Sequence, residues 1–135
     1  MKDYYPNHPS ENRRLPDGLY DAEVRQVSTG EYRSDQLYVR IILWLPAAEC
    51  CIASNIYCPQ DRPTRSHQRL WFFSQCVGVD ANEALDAPHL FEGRTLRLQL
   101  KQNDAKISGV RRVYSDVALF LPSLQDAVAA QPVHS

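Results

Sequence analysis

The chain has 135 residues, 44% of them hydrophobic and 23% charged, with a net charge of −1. That length fits one domain, the balance excludes a charge-rich disordered chain, and the near-neutral total excludes binding driven by a global basic excess. No run of 18 apolar residues is present and the N-terminal MKDYYPNHPSENRR lacks the apolar stretch of a signal peptide, so a soluble, cytoplasmic protein is expected.

Residues 1–14 mix Pro6, Pro9, Asn7, Asn12 and charges without periodicity and read as a flexible arm. Leu15-Pro16-Asp17-Gly18 is a turn signal, and the alternation from Leu19 to Ser28 predicts a half-buried strand. That alternation slips at Gln26 and Val27, as it does where a β-bulge bends a strand around a barrel corner. After a polar loop over 29–35, Gln36 to Leu45 predicts a second strand with Leu37, Val39, Ile41, Leu43 and Leu45 on one face. Its other face is Tyr38, Arg40, Ile42 and Trp44. Pro46 ends it, and Cys50 to Tyr57 reads as a third strand.

Beyond a Pro-containing loop, Leu70, Phe72, Phe73, Cys76 and Val77 form an apolar stripe at helical spacing, with Gly78 at the C-cap position. A short helical turn is expected over 81–85. Thr95 to Lys101 alternates as a fourth strand with Leu96, Leu98 and Leu100 inward, Asn103-Asp104 predicts a turn, and Lys106 to Tyr114 predicts a fifth strand. Pro122 interrupts residues 117–128, which read as a docked or partner-binding tail.

Three strands, a helix and two strands is the order of the OB-fold, an all-β five-stranded Greek-key barrel with one helix. The expected division is an arm over 1–14, the OB domain over 15–115 and a tail over 116–135. Leu15-Pro16-Asp17-Gly18-Leu19-Tyr20, the stretch from Arg69-Leu70 to Val77-Gly78, and Leu90-Phe91-Glu92-Gly93-Arg94 resemble elements of the phage-type OB-fold single-stranded-DNA-binding proteins associated with recombination or replication genes. The resemblance covers about three quarters of the chain. It implies single-strand binding in replication or recombination, and it names no catalytic residue.

Single strands are held by cations along the phosphates and aromatic rings on which bases stack. Tyr38, Arg40 and Trp44 combine both residue types on the non-aliphatic face of the second strand, and Tyr57 extends the set. Residues 94–114 carry six cations against Asp104, a local +5. From this segment Arg97, Lys101, Lys106, Arg111 and Arg112 are expected to track phosphates. Tyr32 and Arg33 lie in the loop between strands one and two, which clamps ligands on many OB barrels. Arg62, Arg65 and Arg69 lie between the third strand and the helix.

Catalysis needs a nucleophile with its base, paired carboxylates or a metal cage, and no such spacing is present, so a non-enzyme is expected. Cys50, Cys51, Cys58 and Cys76 contain no C-x-x-C pair, and neighbours on a strand point to opposite faces, so free thiols and no cofactor are expected. The expected partners are single-stranded DNA and a second copy of the chain, with residues 117–128 as a further protein contact. The alternative is a protein-interaction OB module that buries the same aromatic face.

Overall fold

The computed structural model describes residues 5–32, 35–60 and 64–124. Its strands are β1 (Gly18–Tyr32), β2 (Gln36–Leu45), β3 (Cys50–Pro59), β4 (Thr95–Ile107) and β5 (Val110–Leu121). Helices α1 (Arg65–Val77) and α2 (Ala81–Asp86) and the 3-10 turn Pro88–Phe91 lie between β3 and β4. All neighbouring strands are antiparallel, in the order β3-β2-β1-β4-β5. This is the OB-fold.

β1 is long because it serves two neighbours: its first half pairs with β4 and its second half with β2. The change of partner needs a bend, which the register shift between Val24 and Gln26 supplies where the alternation slips. Val39, Ile41, Leu43 and Leu45 are all buried, as their two-residue spacing requires. They meet Leu96, Leu98 and Leu100 of β4 in one core, closed from the α1 side by Phe73, whose ring stacks on Phe91 at 5.0 Å.

α1 stops at Gly78, whose φ of 72° is the left-handed C-cap conformation. Its apolar stripe is narrower than the sequence suggests. Phe73 is fully buried, whereas Trp71 and Phe72 are more than half exposed and meet edge to face at 5.7 Å.

The β4–β5 hairpin also differs from expectation. Asn103 and Asp104 remain in the ladder, and the chain reverses at Ser108 and Gly109, with φ of 52° and 80°. Positive φ at both central residues is the geometry of a two-residue hairpin turn whose twist matches its strands. Lys106 therefore lies near the end of β4 rather than opening the fifth strand, and it faces Arg111. β5 runs past residue 115 to Leu121 and buries Val117 and Phe120, so 116–121 belong to the barrel rather than to a tail. Residues 125–135 lie outside the described residues.

The expected arm is docked: Pro6 is buried, and a 3-10 turn over Pro9–Glu11 packs against β3 and β5 ahead of Asn12. Asn12 is fully buried: its Nδ2 donates to the carbonyls of Ala53 and Ser115, both at 2.9 Å, and its Oδ1 accepts the Ala53 N–H at 2.7 Å. β3 and β5 are the two sheet edges, and Asn12 ties them together where, among the described residues, no backbone ladder does. Leu15 N–H donates to Ser115 Oγ at 2.7 Å, and Ser115 N–H to the Arg13 carbonyl at 3.1 Å. A second tie comes from α1. Arg69 donates to the Val117 carbonyl at 2.7 Å and to Ser54 Oγ at 3.2 Å, with its guanidinium 5.0 Å from the Phe120 ring centre. Burial pulls the Arg69 pKa down, and the Asp116 carboxylate acts against that shift.

Candidate nucleic-acid interface

Directly opposed residues of antiparallel strands point to the same side, so the registers define the outer face of β1, β2 and β3 row by row. The rows are Gly30–Tyr38–Tyr57, Ser28–Arg40–Asn55, Gln26–Ile42–Ala53 and Glu23–Trp44–Cys51. The face is thus aromatic at one end, polar next to that, apolar in the middle and aromatic again at the far end.

At the first end Tyr38 and Tyr57 are half-buried, with ring centres 5.1 Å apart and planes tilted by 42°. Arg40 Nε donates to the Tyr38 hydroxyl at 2.7 Å, and the guanidinium carbon lies 5.5 Å from the Tyr38 ring centre. Gly30 leaves this end open, because a Cβ at that position would meet nothing within 4 Å. At the other end Trp44 packs on a small cluster of Ile42, Cys51 and Ala53, and Arg25 lies 5.4 Å from its ring centre. Arg25 also pairs with Glu23 at 3.2 Å. Tyr38 and Trp44 therefore each carry a cation on one side.

The structure brings together Tyr38, Arg40, Trp44 and Tyr57, and it divides the basic segment. Opposed pairs place Lys106 and Arg111 on one side of the β4–β5 hairpin and Arg112, level with Ala105, on the other. Acids accompany the rest: Arg111 pairs with Asp104 at 2.8 Å, Arg97 lies across from Asp21, and Lys101 lies across from Asp116. Arg97 also donates to the Pro122 carbonyl at 3.2 Å. The local +5 is thus spread over two sides of the hairpin and partly offset by carboxylates. Tyr32 ends β1 opposite Gln36, while Arg33 and Arg62 lie outside the described residues.

Two residues of this face escaped the sequence reading. Alternation puts Arg25 on the side of Glu23, but its contact with Trp44 depends on the pairing of Glu23 with Trp44, a β1–β2 register that the sequence does not give. Asn55 left a signal, a lone amide within the apolar run CCIASNIYC. Its Nδ2 and Oδ1 are both buried without a hydrogen-bond partner.

No disulfide joins the four cysteines, and Cys51, Cys58 and Cys76 are buried. Burial raises the thiol pKa of Cys50, Cys58 and Cys76, with Arg13 opposing the rise at Cys50. Among the described residues no group of three metal-ligating side chains is gathered, and no helix is long and apolar enough to cross a membrane.

No family model matches the chain, and no curated protein matches it. Among solved structures it is similar to yeast RPA bound to ssDNA, with 11% identity, 92% of this chain and 88% of that chain covered, and a TM-score of 0.45.

Proposed function

We propose that the outer face of β2 and β3 binds single-stranded DNA, by stacking bases on Tyr38, Tyr57 and Trp44 and by pairing phosphates with Arg40 and Arg25, without catalysis. The observation that carries this reading is the Tyr38–Tyr57 pair with Arg40 against it, half-buried on a sheet face whose opposite side already supplies the core. Rings that keep a solvent-facing side beside a cation match what a single strand requires. The resemblance of the LPDGLY, Arg69–Gly78 and LFEGR segments to phage-type single-strand binders supports a role in replication or recombination.

The test is fluorescence anisotropy of an end-labelled oligo-dT at low and moderate salt, with wild type and with Tyr57→Ala and Arg40→Ala. Binding should weaken with salt, by about 0.7 in the logarithmic slope per phosphate contact. Tyr57→Ala should weaken binding by about 1–3 kcal/mol, the range of one base–aromatic stack. Absence of wild-type binding at low ionic strength refutes the proposal.

A further inference from the structure

We infer that Asn55 is the base-reading residue of this face, an inference that rests on the single-strand reading above. Asn55 lies in the row Ser28–Arg40–Asn55, next to the row of Tyr38 and Tyr57. Its amide has one donor group and one acceptor, and both are buried without a partner. Asn12, also buried, satisfies its amide three times over. Buried amides are nearly always paired, so an orphan on this half-buried face requires a reason.

The chemistry of the orphan selects its ligand. A phosphate offers acceptors only, and it would leave the Asn55 oxygen unsatisfied. A nucleobase edge presents a donor and an acceptor side by side, and an amide pairs with both at once. Arg40 opposes Asn55, yet its guanidinium is turned to the Tyr38 hydroxyl and lies over the Tyr38 ring. When a phosphate draws Arg40 away, a base takes its place over Tyr38 and reaches the neighbouring row. Stacking on Tyr38 and pairing with Asn55 then occur on one nucleotide, and the free protein carries the cost of the unpaired amide until the strand arrives.

The test compares wild type with Asn55→Val on oligo-dT, oligo-dA and oligo-dC 12-mers and on a 12-mer of abasic deoxyribose phosphate, together with thermal melting. Val suits a strand and removes both polar atoms. Asn55→Val should lose affinity on the order of tenfold for at least one base-bearing strand. It should change the abasic affinity less than about twofold and melt no lower than wild type, because replacing an unpaired amide with an apolar group of similar shape is neutral or stabilising. Equal loss on the abasic strand overturns the inference, since Asn55 would then touch the backbone. Unchanged affinity on every strand, or a melting point several degrees lower, also overturns it. If wild type binds none of these strands, the single-strand reading fails and takes this inference with it. If wild type binds and Asn55→Val is indistinguishable, the inference alone fails.

Discussion

Replacing Asn12 with alanine should open the seam of the barrel. The side chain makes three hydrogen bonds of 2.7–2.9 Å, all buried, and joins the β3 and β5 edges. Asn12→Ala leaves the Ala53 N–H and the carbonyls of Ala53 and Ser115 without that partner. Each bond contributes about 1 kcal/mol net, and an orphaned N–H adds desolvation cost, so the loss comes to roughly 3–4 kcal/mol. A domain of this size has on the order of 5–15 kcal/mol in total. Urea unfolding followed by tryptophan fluorescence should show a lower midpoint with little change in slope, and thermal unfolding should fall by about 10 °C. Asn12→Asp adds a sign test. Its carboxylate would face two carbonyls in a buried site, which raises its folded-state pKa above the unfolded value. A raised folded pKa means stability gained as pH falls, so this variant should recover relative to wild type as the pH is lowered toward the unfolded carboxyl value of about 4. A loss under 1 kcal/mol for Asn12→Ala would refute the claim that this side chain closes the barrel.

Arg69→Leu removes the second tie, from α1 to Val117 and Ser54, and should cost about 2 kcal/mol by urea unfolding. Gly109→Val forces a β-branched residue to φ of 80° and should destabilise the β4–β5 hairpin by 1–2 kcal/mol, read as faster amide exchange over 101–116. With a disulfide reagent at pH 8, Cys50 should react first, because it is the one cysteine not fully buried, and the other three should react fully only in denaturant. Arg112→Ala should reduce the salt slope of oligonucleotide binding more than Arg111→Ala, since Arg111 is already paired with Asp104.

The barrel itself was largely legible because each feature that defines it is local. The two-residue spacing of Leu37 to Leu45, the slip at Gln26 and Val27, and Gly78 after the helix stripe each constrain a few neighbouring residues. The misreadings share a different physics. Asn12 looked like linker because its partners lie 41 and 103 residues away, and composition carries no trace of such pairing. Asn103-Asp104 has the chemistry of a turn, but Ser108-Gly109 has it too, and the pairing of Lys101 to Ile107 with Val110 to Asp116 decided between them. For the site, alternation placed Tyr38, Arg40 and Trp44 on one face, and the register added Tyr57 opposite Tyr38. A charge count along the chain could not reveal that Lys106 and Arg112 point to opposite sides of the hairpin, or that Asp21 and Asp116 lie across from Arg97 and Lys101.

The most direct measurement is fluorescence of Trp44 in a Trp71→Phe variant, which leaves one tryptophan in the chain, titrated with oligo-dT at low salt. Stacking of a base on Trp44 predicts saturable quenching that weakens as salt is raised. An unchanged Trp44 signal, with no oligonucleotide bound at low ionic strength, would contradict the assignment of this face to single-stranded DNA.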